Sequence, residues 1–348
     1  MQDLSSEWIL NGIRQRPTEK KLWFADENTL TVFQQPAQVF PQLTIISNRF
    51  DIAALAASFA NEVMFNDFDS TRISDASLDS IFYRVSKEKA VVHHLIRAAA
   101  RLLKPGGYLF LSGEKNEGIK TFIERTATYF QDDARAEKQG QIYVAAIRKN
   151  GLNKDAGPDD QQYAQVREMG ELAGAPWFSK PGIFGWNKVD TGSELLVQQV
   201  NRFYQAHPRP QNLLDLGCGY GYLTLMTSAL PLSQRVLTDN NAAALLAAEY
   251  NCKARQLAAQ VIAADAGDAI NETFELILCN PPFHQGFSND GDLTDKFLRQ
   301  AARLLHKDGR AFFVVNQFIP LEKKAAAWFG RIRLLSAEKG FRVFMLQK

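Results

Sequence analysis

The sequence predicts an α/β protein built as two doubly wound domains in tandem, the N-terminal one degenerate. Three observations carry this reading. Apolar strand-like runs alternate with helical patterns through the C-terminal half, the grammar of a mostly parallel sheet covered on both faces. The N-terminal half repeats that grammar. Between them, the stretch from Leu152 to Gln162 holds Lys154, Gly157, Pro158, Asp159 and Asp160 with little to bury, which is the composition of a linker. These observations divide the 348 residues into domains at 1–150 and 166–348, joined by a linker at 151–165.

In the second half, Asn212 to Leu216 reads as a short buried strand and Tyr222 to Leu230 as the helix that follows. Arg235 to Thr238 is a second strand, followed by an alanine-rich helix from Ala242 to Tyr250. Gln260 to Ala263, Phe274 to Cys279 and Ala311 to Val315 supply three more strands, with a helix from Asp295 to Leu305 between the last two. In the first half, Ala98 to Leu111 lines up with Gln300 to Phe313, each a helix that ends at a glycine and runs into an apolar strand. Leu78 to Arg84 occupies the place of Phe274 to Asn280, and Leu43 to Ile46 is the candidate first strand. After Ile46, however, comes Ser47-Asn48-Arg49-Phe50-Asp51, with no glycine turn. After Tyr83 comes Arg84-Val85-Ser86-Lys87, with no Asn-Pro-Pro. The first half is expected to keep the scaffold without the chemistry.

Composition narrows the class. Hydrophobic residues make up 46% and charged residues 22%, ordinary for globular domains. No apolar run is long enough for a spanning helix, and Met1 to Arg14 lacks the layout of a secretion signal. Three cysteines (Cys218, Cys252, Cys279) at unrelated spacings suit a reducing cytoplasm. A net charge of +2 neither demands nor forbids a nucleic acid, so any basic footprint must be local. The histidines and cysteines show no metal-ligand spacing, and no metal is expected.

Asp215-Leu216-Gly217-Cys218-Gly219-Tyr220-Gly221 follows a strand and opens a helix. Glycines at Gly217, Gly219 and Gly221 let the backbone turn tightly and approach a ligand where a Cβ would collide. The spacing differs from the Gly-x-Gly-x-x-Gly that seats a pyrophosphate on a helix N-terminus. A carboxylate at Asp215 repels phosphate and favours a cation, so S-adenosylmethionine, with its sulfonium and ammonium, fits better than a dinucleotide. Asp239 at the end of the second strand would accept hydrogen bonds from the ribose hydroxyls. Asp265, closing the third strand, would accept from the adenine amino group, though a loop or helix-capping aspartate is the plainer alternative.

Asn280-Pro281-Pro282-Phe283 follows the fourth strand, at the carboxyl edge where open α/β sheets bind ligands. Two prolines remove two donors and leave carbonyl acceptors in a rigid loop. An amino group conjugated to a base or acyl group is a poor nucleophile, because its lone pair is delocalised. If the Asn280 side-chain oxygen and the Pro281 carbonyl accepted its two hydrogens, the lone pair would point at the donor methyl, and the growing positive charge would be stabilised. Asn280 thus belongs to both the catalytic and the donor-binding sets. Phe283 would stack on the flat target, with Pro282 and His284 lining it. No strong base is needed.

These residues resemble the ribosomal RNA small subunit methyltransferase C family, small-domain methyltransferases acting on guanine N2. The resemblance lies in Asp215-x-Gly217-Cys218-Gly219-x-Gly221, in Asn280-Pro281-Pro282-Phe283-His284, and in Lys180-Pro181-Gly182-Ile183-Phe184 with Asp190-Thr191-Gly192-Ser193. Gly185 stands where the family commonly has serine. The resemblance implies two Rossmann-like class I methyltransferase domains and sets Phe184, Asp190 and Gly192 beside donor and target. Ser86 to Lys89 and Gly113 to Lys120 favour the 16S over the 23S enzyme, with rRNA in the small subunit as partner. Basic residues of the first half (Lys87, Lys89, Arg97, Arg101, Lys115, Lys120) are candidate phosphate contacts or an ordinary solvated face. Methylation of 23S rRNA, of adenine or of a protein glutamine, and a non-catalytic RNA-binding role, stand as alternatives.

Overall fold

The computed structural model describes residues 3–36, 38–282 and 290–348. The chain forms two compact units, Met1–Gln165 and Val166–Lys348. Unit 1 contains α1 (Leu4–Arg14), β1 (Lys21–Ala25), α2 (Leu30–Phe33), β2 (Phe40–Ser47), α3 (Phe50–Ala56), β3 (Ala60–Phe65), β4 (Leu78–Arg84), α4 (Lys89–Leu102), β5 (Leu103–Glu114), α5 (Ile119–Phe130), β6 (Glu137–Gln139) and β7 (Ile142–Arg148). Its sheet runs β3-β2-β1-β4-β5-β7-β6. Strands β1 to β5 are parallel, and β7 and β6 antiparallel.

Unit 2 contains a hairpin, β8 (Arg167–Leu172) and β9 (Ala175–Ser179), then α6 (Thr191–Ala206), β10 (Asn212–Leu216), α7 (Tyr222–Met226), β11 (Gln234–Asp239), α8 (Ala242–Ala254), β12 (Gln260–Ala263), β13 (Phe274–Cys279), α9 (Asp290–Leu304), β14 (Leu305–Asn316), α10 (Leu321–Ala325), β15 (Arg331–Glu338) and β16 (Phe341–Gln347). Its sheet runs β12-β11-β10-β13-β14-β16-β15, the order of unit 1 repeated. In each unit the winding reverses beside the central strand, β1 or β10, and the crevice at the carboxyl end of that switch point is where such sheets bind ligands.

The central strands are apolar on both sides because the sheet has a core on each face. Leu214, Leu216, Ile277 and Phe313 pack on one face, and Leu213, Leu276, Leu278 and Phe312 on the other. Unit 1 divides the same way, with Leu22, Ile81 and Leu109 on one face against Trp23, Phe82 and Phe110 on the other.

The repeat extends to irregularities. β4 and β5 slip register between Leu78 and Ser80, and β13 and β14 slip between Phe274 and Leu276. The glycine at each slip is sterically required. A Cβ on Gly107 would sit 3.0 Å from the Asp79 carbonyl, and one on Gly309 2.9 Å from that of Phe274. Arg101 donates to the Ser70 and Ile73 carbonyls, as Arg303 does to those of Gly267 and Ile270.

Several expectations need correction. Leu43 to Ile46 lies in the second strand of unit 1. The first is β1, hidden in the sequence by its leading Lys21, which is 1% exposed. Burial is tolerated because its ammonium donates to the Arg16 and Glu19 carbonyls at 2.6 and 2.7 Å. The helix expected to reach Leu230 stops at Met226, and the helix expected from Asp295 begins at Asp290. The 151–165 segment packs on unit 1: Tyr163 is wholly buried, with its hydroxyl on Asp67 at 2.5 Å, and His93 meets the Asp159 carbonyl at 2.5 Å. Among the described residues no helix is long and apolar enough to cross a membrane.

Candidate functional site

The site of unit 2 starts at the end of β10. Asp215 is wholly buried. Its Oδ2 accepts from the Thr224 N–H at 3.0 Å and hydroxyl at 2.7 Å. Its Oδ1 is buried and meets no donor among the described residues. Burial pushes its pKa up to about 7, against the lowering effect of the Thr224 hydrogen bonds. Gly217, Gly219 and Gly221 all take left-handed φ, of 77°, 55° and 89°. The three differ in what surrounds them. A Cβ would sit 3.1 Å from Phe297 at Gly217 and 3.3 Å from Leu237 at Gly221, but at Gly219 it would meet no atom of the described residues within 4 Å. Gly219 therefore leaves an open cradle.

Asp239 ends β11 and is already engaged from below. Its carboxylate accepts the N–H groups of Gly219 and Asn241, each at 2.9 Å. The Asn241 side chain donates to the Gly182 carbonyl at 2.8 Å, tying the segment ahead of α6 to the carboxyl edge. Asn251, wholly buried, donates to the Phe178 and Tyr220 carbonyls at 2.7 and 2.8 Å and joins β9 to the glycine turn. Asp265 forms an ion pair with Lys296 of α9. A ligand amino group at Asp265 would share that carboxylate with an ammonium.

Asn280 follows β13. Its Nδ2 donates to Asp190 Oδ1 and to Ser193 Oγ, both at 2.8 Å, while its Oδ1 is buried and has no donor among the described residues. Pro281 is buried and Pro282 half-buried. Phe283 and His284 lie outside the described residues. Asp190 caps α6, accepting the Ser193 N–H at 2.8 Å. The structure thus sets Asp190 against Asn280 itself. Gly192 is glycine because a Cβ would lie 2.9 Å from the Phe341 ring and 3.2 Å from the Asp190 carboxylate. Phe184 is 77% exposed. Gly185 takes φ 64°, which explains glycine there in place of serine.

The structure brings Asp215, the three glycines and Asp239 together at the end of β10 and β11, with Asn280 beside Asp190. Lys115 and Lys120 belong to unit 1 and are exposed, the Lys120 ammonium lying 5.2 Å from the Tyr143 ring. Arg101 is consumed by Asp75 and the loop carbonyls, so it is no free phosphate contact. Among the described residues no group of three His, Cys, Asp or Glu is arranged to hold a metal. Sequence reasoning passed over Thr224, Asn251 and Lys296, and gave Ser193 a place in the Asp190–Ser193 motif but no role. Only Ser193 carried a signal, an Asp-x-x-Ser helix start. Phe318 was also missed: it is 82% exposed at the turn after β14, where its N–H donates to Asn316 at 3.1 Å.

A doubly wound sheet with this glycine turn, an acid ending the next strand and Asn-Pro-Pro after the fourth defines the class I methyltransferase architecture. The comparisons with known proteins agree. Residues 175–345 match the family model "Methyltransferase small domain" and residues 15–152 match "Methyltransferase small domain N-terminal". The ribosomal RNA small subunit methyltransferase C of Pseudomonas aeruginosa (strain UCBPP-PA14) is 31% identical over 301 residues, covering 85% of this chain and 86% of its own. That of Hahella chejuensis is 28% identical, covering 84% of each. In structure the chain is similar to the T. thermophilus 16S rRNA N2 G1207 methyltransferase, solved in complex with AdoMet and guanosine. The TM-score is 0.81 at 22% identity, over 100% of this chain and 92% of that one, a likeness of fold. The chain belongs to the ribosomal RNA small subunit methyltransferase C family.

Proposed function

We infer that this chain is an S-adenosylmethionine-dependent methyltransferase that modifies the exocyclic N2 of a guanine in 16S rRNA. Supporting it, the curated relatives are named ribosomal RNA small subunit methyltransferase C, and the structural neighbour is a 16S rRNA N2 G1207 methyltransferase solved with AdoMet and guanosine. The observation that carries the reading here is Asn280, whose amide is pinned through nitrogen and whose oxygen is buried without a partner among the described residues.

The residues fit the methyl donor. A buried carboxylate oxygen without a donor at Asp215 suits a cationic ligand, and the bare face of Gly219 admits it at backbone contact. Asp215, Gly217, Gly219, Gly221, Asp239 and Asp265 would hold it, with Asn280 at the boundary between donor and target. When bound, S-adenosylmethionine supplies an electrophilic methyl on a sulfonium. This chain's part is to make the amine nucleophilic. The Asn280 oxygen and the Pro281 carbonyl take the two N2 hydrogens, turn the lone pair out of conjugation and offset the charge that builds on nitrogen. Phe283, with Phe184 and Pro282, would hold the base flat, and His284 would orient it. The cationic product loses a proton to solvent without a dedicated base.

We place the enzyme in the cytoplasm, with ribosomal RNA of the small subunit as its substrate. Unit 1 serves as support and RNA contact through Lys115 and Lys120. The test is to incubate the protein and labelled donor with 16S RNA, 23S RNA and both subunits, then digest to nucleosides. Label in 2-methylguanosine from 16S RNA is expected. Label in adenosine, in a protein or in 23S RNA would overturn the reading.

A further inference from the structure

A primary amide presents an acceptor at one end and two donors at the other, and its neighbours decide which end faces which way. At Asn280 the choice is forced. An ionised carboxylate only accepts, so the atom 2.8 Å from Asp190 Oδ1 must be the nitrogen. The second amide hydrogen goes to Ser193 Oγ at 2.8 Å. Both donors are spent, and Oδ1 alone is left for whatever binds. The holders are themselves fixed. Asp190 caps α6 by accepting the Ser193 N–H, and the bare Gly192 lets that first turn pack against Phe341.

Unit 1 retains the aspartate half of this device, its serine turned to the aspartate and to the Asn28 carbonyl. Asp3 caps α1, Ser6 stands three residues on and donates to Asp3 Oδ2 at 2.7 Å, and Arg84, at the place of Asn280, donates to that same oxygen at 3.0 Å. A helix-capping aspartate grips the residue at the end of the fourth strand in both halves, an amide in unit 2 and a guanidinium in unit 1.

We propose that Asp190 and Ser193 are positioning residues that hold Asn280 as an acceptor only, so that the site takes a target amino group and rejects a carbonyl at that place. This rests on the activity inferred above only for the identity of the amino group. Without the grip the amide can turn over and present its NH2 to the target, which repels the N–H groups it should receive.

The test uses the full chain. Ser193→Ala keeps the capped backbone N–H and a good helix former. It should lower kcat about tenfold, and Asp190→Ala about a hundredfold, with the donor KM held, up to but not beyond the roughly 10²–10³-fold cost of losing the Asn280 contact itself. Asp190→Asn, which keeps a capping oxygen, should recover most of the loss. Because both residues act through Asn280, adding Ser193→Ala to Asn280→Ala should cost nothing further. The Asn280 side-chain amide resonances, identified by their disappearance in Asn280→Ala, should shift and exchange faster in Ser193→Ala. A further loss in the double variant, or Asn280 resonances indifferent to Ser193→Ala, overturns the proposal. If those resonances move as expected while the wild-type chain leaves 16S RNA unmodified, both free and in the small subunit, the grip stands and the substrate reading falls.

Discussion

At the carboxyl end of the central strand, unit 2 turns through Gly217, Gly219 and Gly221, whereas unit 1 turns through Asp26, Glu27 and Asn28. Sheet register makes the correspondence residue by residue. Leu22 pairs with Ile81 and Thr44, as Leu214 pairs with Ile277 and Val236. Trp23 therefore stands at the place of Asp215, Ser47 at that of Asp239 and Arg84 at that of Asn280. Unit 1 fills the crevice with its own charges. Arg84 binds Asp3 at 3.0 Å and Glu117 at 2.6 Å, and although burial opposes its charge, those two carboxylates raise its pKa. Asp26 keeps one oxygen without a donor among the described residues, but the Arg84 charge acts on it. Unit 2 leaves Asp215 Oδ1 and Asn280 Oδ1 without a donor among the described residues, a cost of about 1–3 kcal/mol each that a ligand would relieve. The lesson is that the doubly wound scaffold does not need its site. Polar groups at the switch point can be closed internally or left open for chemistry.

That contrast can be broken in four places. The largest effects belong to Asn280 and Arg84. Asn280→Ala should lower single-turnover methylation about 10²–10³-fold while leaving urea denaturation unchanged. Arg84→Ala, which strands Asp3 and Glu117, should cost about 3–5 kcal/mol in the same denaturation experiment and leave donor binding intact. Reversed phenotypes would mean that the two positions are not counterparts.

Gly219→Ala comes next. Its methyl meets no atom of the described residues within 4 Å, so the folding cost is limited to the left-handed backbone, about 1–2 kcal/mol. Donor affinity by calorimetry should fall well beyond what that implies, because the methyl fills the cradle. Glu27→Ala, at the matching place in unit 1, should leave affinity unaltered.

The pH response separates the two buried acids. Burial raises both Asp215 and Asp26 to about 7. A raised carboxyl contributes stability that is fully present below its unfolded pKa near 3.8 and is lost as pH rises through about 7. A cationic donor favours ionised Asp215, so its affinity should climb about tenfold from about pH 6 to about pH 8 and then level off. Asp215→Asn should flatten the binding profile but leave a residual pH dependence of unfolding, from Asp26. A binding profile unchanged by the substitution would remove Asp215 from the donor site. The smallest effect is expected from Lys115→Glu with Lys120→Glu, which should weaken RNA binding a few-fold and reduce its salt slope by about two. An unchanged slope would leave unit 1 without a phosphate role there.

Much of the fold was legible because its signals are local. The glycines at Gly107 and Gly309 recur at matching positions, but the helices expected to end at them stop at Leu102 and Leu304, and the structure places both glycines inside β5 and β14 at the same register slip. β1 was not legible, since Lys21 reads as polar and its burial depends on carbonyls outside the strand. The β8–β9 hairpin and the two C-terminal antiparallel strands were passed over too. β15 is largely exposed, so its apolar residues form no continuous run.

Of the site, the residue types came from the sequence. Glycine spacing, paired prolines and acids at strand ends are set by chain neighbours, and they were enough to point to a methyl donor and an amino-group target. Which way those groups face was decided in three dimensions. Asp190 lies 90 residues before Asn280, and only the packing of α6 against the sheet brings its carboxylate to the amide and leaves one oxygen bare. Burial of Asp215 and the emptiness around Gly219 are likewise properties of the assembled sheet. A sequence specifies which donors and acceptors exist. Hydrogen-bond direction and desolvation depend on what lies within a few ångströms, and only the folded chain determines that.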